Sequence, residues 1–188
     1  MIRIAITPYD IIDHEADIIT RLLQSDWDYV HLRHPDASIT DMRNIIERIP
    51  QSLHSRLKLH GYFELTNQFN LGGLHLNSRC PSAPPLYRGS LSRSCHTPDE
   101  VRNAKGYDYV TFSPVFPSIS KPEYKPAYTE LEIAEMLKQS STPVIALGGV
   151  TMQMIPRIEN MGFAGYAMLG AIWQNNNAND SFNILHSI

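Results

Sequence analysis

The sequence predicts a compact single-domain α/β protein, a (β/α)8 TIM barrel over residues 1–188. Three observations lead there. Eight short β-branched or apolar runs recur along the chain. Most are separated by runs whose apolar residues have helical spacing. No linker or low-complexity stretch divides the 188 residues. Such barrels usually run to roughly 250 residues, with ~200 at the lower end, so this one must have trimmed loops. An open, doubly wound sheet is the rival architecture, and it too gathers ligands at the carboxyl ends of its strands.

The elements follow in order. "IRIAIT" reads as a first strand. "EADIITRLLQS" has Ile18, Ile19, Leu22 and Leu23 on one side of a helix. "DYVHLR" is a second strand, and "SITDMRNIIERI" a helix whose Ser38 and Asp41 have capping-box spacing. "RLKLHG" is a third strand, with a short helical piece in "FELTNQFN". "GGLHLN" is a fourth. The prolines of "SRCPSAPPLYRG" then argue against a long helix. "SLSRSCH" is a fifth strand. It runs into a helix with Thr97 as N-cap, Pro98 at N1, Glu100 at N3 and Gly106 as the stop. "YDYVTFSPVF" holds a sixth strand, and "YTELEIAEMLKQS" a helix capped by Thr129 and Glu132. "PVIALGGV" is a seventh strand and "MIPRIENMG" a helix. "FAGYAMLGAI" is an eighth strand, and "SFNILHS" a short closing helix.

Composition narrows the function classes. A formal net charge of −3 with no basic run speaks against a nucleic-acid partner. The opening "MIRIAITPYD" lacks the apolar stretch of a secretion signal, and no later run is long enough to span a bilayer, so no membrane partner is expected. Cys80 and Cys95 have no metal-ligand spacing, and a reducing, cytoplasmic compartment is expected. A homodimer is left open.

Chemistry in such a fold gathers at the carboxyl ends of the strands. His31 and Arg33 share a face there, as do Ser92, Ser94 and His96; His60 and His75 lie on the strands between. Arg33 can hold two phosphate oxygens at once, or sit in a rim ion pair. His96 precedes a well-capped helix, where an imidazole can transfer a proton near neutrality or merely bond the turn. Lys121 follows the loop "SPVFPSIS" and can sit over a phosphate, or be solvated. Gly148 and Gly149 let backbone N–H groups approach an anion, or simply make a tight turn. His31, His60, His75 and His96 would meet around a transition metal only if all four point inward. Their spacing matches no local metal motif, and no metal site is predicted.

The order of these motifs resembles the thiamine phosphate synthase family, which includes the related thiazole tautomerases. "HLRHPD" resembles its Gln-Leu-Arg-Glu-Lys segment, "LGGLHLN" its Asp-Gly-Val-His-Leu-Gly strand, and "SRSCHT" its Gly-x-Ser-x-His-Thr. "DYVTFSPVFPSISK" resembles Asp-Tyr-x-x-x-Gly-Pro-x-Phe-x-Thr-x-x-Lys. "PVIALGGVT" and "GFAGYAMLGAI" resemble its closing glycine motifs. The resemblance implies a compact barrel and a thiamine-biosynthesis enzyme. That enzyme couples a thiazole phosphate to a pyrimidine diphosphate and releases pyrophosphate. It implies roles for Arg33 and Lys121 on the departing diphosphate and for Ser94 in substrate binding. His31 and His60 take substrate-binding positions, at a family glutamine and a family asparagine. Ser118 and Ser120 match the thiazole-phosphate loop, and Gly148, Gly149, Leu169 and Gly170 the phosphate-binding backbone.

The departures are specific. Pro35 stands at the position of a family lysine. The family's two magnesium aspartates align with Gly61 and Cys80. Magnesium is therefore expected only if the synthase reaction is retained. The tautomerase branch needs no magnesium, and its acid/base histidine corresponds to His96. A non-catalytic binder of phosphate ligands is the third reading.

Overall fold

The computed structural model of the protein describes residues 1–117 and 127–173. Eight parallel strands close on themselves in chain order: β1 (Ile2–Ile6), β2 (Tyr29–Leu32), β3 (Leu57–Leu59), β4 (Gly73–Leu76), β5 (Leu91–Cys95), β6 (Tyr109–Phe112), β7 (Val144–Ala146) and β8 (Gly165–Met168). The open sheet is excluded because β1 pairs with both neighbours, Ile6 opposite His31 and Ala5 opposite Met168.

The helices are α1 (Glu15–Gln24), α2 (Ile39–Arg48), α3 (Pro98–Arg102), α4 (Glu130–Gln139), α5 (Ile155–Met161) and α6 (Gly170–Trp173). The capping boxes expected for α2, α3 and α4 all form, each satisfying two N–H groups that a helix start leaves unpaired. Trimming occurs where expected. A 3₁₀ turn at Phe63–Asn67 replaces a helix between β3 and β4, and an irregular loop joins β4 to β5.

Two boundaries differ from the sequence reading. α3 stops well before Gly106, because the backbone N–H and side-chain amide of Asn103 both donate to Asp99 O and seal the helix end. The eighth run is strand only to Met168. Its remainder turns into α6, where the Trp173 indole N–H donates to Ile6 O at the end of β1. The closing helix of "SFNILHS" lies outside the described residues.

Strand parity sorts the side chains. Val30, Leu32, Leu57, Leu59, Leu74, Val110, Phe112, Val144 and Met168 face the helices and form the main core with Ile19, Leu22, Ile45, Ile133 and Ile158. The barrel interior is divided. On the β1, β7 and β8 side it is apolar, with Ile4, Ile6, Ile145 and Ala167. From β2 to β6 it carries His31, Lys58, His75, Ser92, Tyr109 and Thr111, all buried. Hydrogen bonds offset the cost of burying most of these groups; the Thr111 hydroxyl has no partner among the described residues.

Lys58 shows this at the barrel floor. Its Nζ lies 5.2 Å from the centre of the Tyr29 ring and 4.7 Å from that of Tyr109, and it donates to Ser90 Oγ, which donates to Asp108. Burial pushes the ammonium down to about 8, against the pull of Asp108. A lysine that binds its proton less tightly folded than unfolded makes stability rise with pH between about 8 and 10. Above that, Tyr109 and Tyr166, raised by burial, oppose the trend. Lys58→Met should abolish the rise and increase stability at neutral pH by up to about 3 kcal/mol. Urea unfolding at neutral and mildly alkaline pH checks this, and parallel profiles for the two proteins would contradict it.

Candidate active site

The carboxyl ends of β2, β3 and β4 carry three histidines on the inward face. His31 Nδ1 and His60 Nε2 are 2.9 Å apart, and the His60 and His75 rings stack with centres 4.3 Å apart. His31 Nε2 lies 2.6 Å from the Tyr109 hydroxyl across the barrel. His75 has Ser92 Oγ at 3.0 Å from Nδ1 and Ser94 Oγ at 2.9 Å from Nε2. Strands two to four converge these rings because His31, His60 and His75 share inward parity on consecutive parallel neighbours.

All three imidazoles are held neutral. Burial is the main cause for each, which penalises the charged form. His75 further lowers His31 and His60, and Lys58 lowers His31 and His75. His75 falls to about 3. Tyr109 is pushed up by the same burial, so it stays a phenol and can donate to or accept from His31. One proton is shared between His31 Nδ1 and His60 Nε2, since two bare lone pairs would repel at that distance. His60 is the partly exposed member and opens the cluster to the mouth.

Arg33 stands beside this cluster, half-buried, with its guanidinium 5.9 Å from the centre of the Tyr9 ring. Its pKa is lowered by burial and by the charge of Arg79. Neither arginine has a carboxylate within ion-pair distance among the described residues. Two guanidiniums that disfavour one another and lack a protein anion form a site for an external one. Asn77 fixes the geometry. Its amide donates to His60 O at 2.8 Å and His75 O at 3.2 Å, while Oδ1 accepts from the backbone N–H groups of Arg79 and Cys80. The Arg79 loop is thereby tied to the ends of β3 and β4.

His96 is exposed on the rim and separate from the three-histidine cluster. Its Nδ1 lies 3.0 Å from Ser113 O, and a carbonyl only accepts. The Nδ1 proton is therefore committed, and in the neutral ring Nε2 carries the basic lone pair. That is the tautomer a general base at the rim needs.

Gly148 and Gly149 adopt φ of +89° and +65°. A Cβ on Gly149 would lie 2.3 Å from Pro117 O, and one on Gly148 2.8 Å from Pro114 Cα. The loop after β6 thus requires both glycines for close approach, whatever anion the turn holds. Leu169 and Gly170 lie partly exposed where β8 passes into α6. Ser118, Ser120 and Lys121 lie outside the described residues.

Sequence reasoning had placed His31, Arg33, His60, His75 and Ser94 at strand ends, and the fold brings them into one group. Tyr109, Asn77 and Arg79 were missed as site residues, whereas Ser92 was placed on the same strand face as Ser94. Tyr109 looked like core because aromatic residues usually are, although its inward parity with Thr111 was readable. Arg79 gave no signal, lying in a proline-rich loop that Asn77 ties to the strand ends.

The family model for thiamine monophosphate synthase matches residues 4–172. A thiamine-phosphate synthase of Levilactobacillus brevis is 35% identical over 115 residues, 56% of this chain and 53% of its own length. The chain thus spans about half the length of that relative. One from Latilactobacillus sakei is 24% identical over 159 residues, 80% of this chain and 71% of its own. A solved structure of thiamine phosphate pyrophosphorylase from Bacteroides thetaiotaomicron superposes with a TM-score of 0.85 at 36% identity, covering 95% of this chain and 87% of that one. The corresponding Pyrococcus furiosus structure, at 17% identity and a TM-score of 0.77, shares the fold.

Proposed function

Because the chain belongs to the thiamine monophosphate synthase family, we propose that it couples a thiazole phosphate to a pyrimidine diphosphate and releases pyrophosphate. The supporting observation is a pair of guanidiniums, Arg33 and Arg79, whose charges disfavour one another and which have no carboxylate within ion-pair distance among the described residues. In the reaction the bond between the pyrimidine methylene and the diphosphate oxygen breaks, and its electron pair leaves with the diphosphate. The thiazole nitrogen lone pair then forms the new C–N bond. No proton need move. The protein's work is to stabilise charge developing on the leaving group, and Arg33 and Arg79 are the groups placed for it. Lys121 joins them in this reading. Ser94 and His60 meet the pyrimidine side; His31 shares its proton with His60, and His75 holds Ser94. Ser118, Ser120, Gly148, Gly149, Leu169 and Gly170 take the thiazole phosphate.

Magnesium, which this family's reaction implies, does not fit the residues at hand. It demands oxygen ligands in near-octahedral array. Gly61 offers no side chain and Cys80 a thiol, and the donors beside them are imidazoles. No step is assigned to it.

A second reading rests on His96. Its committed Nδ1 proton leaves Nε2 free to move a proton on a thiazole carboxylate phosphate, the tautomerase reaction. One paired assay separates the readings. The protein is given pyrimidine diphosphate and thiazole phosphate, with and without divalent metal, and thiamine phosphate is measured; the thiazole proton shift is followed in parallel. Thiamine phosphate at an enzymatic rate is expected. If only the proton shift runs, the tautomerase reading replaces the first. If neither runs while phosphate ligands raise the melting temperature, the barrel is a binder.

A further inference from the structure

We infer that His31, His60 and His75 form a three-nitrogen site for a borderline divalent transition-metal ion, of the zinc or cobalt class, at the mouth of the barrel. One ring nitrogen from each lies within 4.8 Å of the other two, and no other such grouping of histidine, cysteine and acidic residues occurs among the described residues. The three come from consecutive strands, which hold them more firmly than loops would. Tetrahedral coordination with metal–nitrogen bonds of about 2.0–2.1 Å spaces ligand nitrogens about 3.3 Å apart. His31 Nδ1 and His60 Nε2 stand at 2.9 Å, a few tenths of an ångström short of that spacing, so the ion takes the place of the shared proton as the two rings turn toward it and the His75 ring closes in.

The surroundings are those of a ligand set. A metal-bound imidazole needs its other nitrogen protonated and oriented. The Tyr109 hydroxyl sits on His31 Nε2, the nitrogen left over when Nδ1 binds. His75 has a serine hydroxyl on each nitrogen, so whichever one turns to the ion, the other keeps its partner. Thr111, the strand neighbour of Ser94, is fully buried and its hydroxyl has no hydrogen-bond partner among the described residues. The chemistry excludes hard cations, since the set contains no carboxylate, and three imidazoles favour zinc, cobalt, nickel or copper. Lys58 is the opposing charge, set on the far side of the Tyr109 ring, with its Nζ 4.7 Å from the ring centre.

Three protein ligands leave a fourth position open. It is reached from the mouth past His60, the partly exposed member of the three, whose strand pairs with the one that leads into Arg33. A phosphate or diphosphate oxygen is the ligand that suits it. The site stands on this geometry and not on which reaction the barrel performs.

The test uses the full chain without a polyhistidine tag, stripped of metal and titrated with Co(II). One equivalent should bind and give the visible d–d bands of four-coordinate Co(II), and Zn(II) should displace it. Inorganic pyrophosphate should shift those bands. His60→Gln, which keeps a hydrogen-bonding side chain at a partly exposed position, should weaken binding at least tenfold, and Tyr109→Phe by about tenfold to a hundredfold. Absence of d–d bands in the wild-type protein would overturn the site outright. Bands unchanged in folded His60→Gln would remove the assigned ligand, and bands indifferent to pyrophosphate would remove the open position. No thiazole or pyrimidine is present, so failure here leaves the coupling assay standing.

Discussion

Arg33→Ala is expected to lower kcat/KM for thiamine phosphate formation by about a hundredfold to a thousandfold, the loss typical of removing one preorganised donor from a developing charge. The expectation comes from its position. The backbone N–H of Arg33 donates to Thr7 Oγ1 at 2.8 Å, and Thr7 is fully buried, so the strand end that presents the guanidinium is fixed. The side chain is half-buried against Tyr9, and its charge is disfavoured by burial and by Arg79, with no carboxylate in ion-pair reach among the described residues to offset either. An anion arriving there relieves both, most strongly when its charge is greatest, as the diphosphate departs. The effect should fall mainly on kcat. Arg33→Lys should recover only part of it, because an ammonium cannot take two oxygens in one plane. Arg79→Ala should cost less, since Arg79 is exposed and its charge is screened. Steady-state kinetics of the variants decides the matter; full activity in Arg33→Ala would remove the arginine pair from the reaction.

His96→Ala is expected to divide the two chemistries. The thiazole proton shift should fall by about a hundredfold or more, as for a lost general base. Thiamine phosphate formation, which transfers no proton, should keep most of its rate. The substitution is structurally mild. His96 is exposed, and the α3 capping box that follows it is made by Thr97 and Glu100. His96→Gln tests the same point with the hydrogen bond to Ser113 O preserved. A proton shift that survives both variants would take His96 out of the mechanism, and equal loss of both reactions would mean that His96 binds a shared substrate.

Much of the fold was legible because it is local. Ser38 with Asp41, Thr97 with Glu100, and Thr129 with Glu132 each cap a helix within four residues of chain, and all three boxes form. The alternation of Tyr29, His31 and Arg33 against Val30 and Leu32 needs only the two-residue period of a strand. The eighth strand was drawn too long because its end is set at long range, by the Trp173 indole bonding to β1. The Gly148–Gly149 turn looked equally suited to a phosphate or a tight bend. The structure adds the packing reason for both glycines, in Pro114, Phe116 and Pro117 of another strand's loop.

The site divides in the same way. The sequence by itself determined that cationic and imidazole side chains stand at the ends of strands two to five, and that neither Gly61 nor Cys80 carries a carboxylate. Barrel closure decided which of them meet. His31 is 29 residues from His60 and 78 from Tyr109, yet it bonds to both. His96, equally a strand-end histidine, turns to Ser113 and stays apart. Strand parity is a property of a few neighbouring residues, whereas convergence depends on the shear and closure of all eight strands together. In "YVHLRHPD" the chain alone showed which groups are offered; the closed barrel made His31 a shared-proton neighbour and set Arg33 over the Tyr9 ring with no carboxylate in ion-pair reach among the described residues.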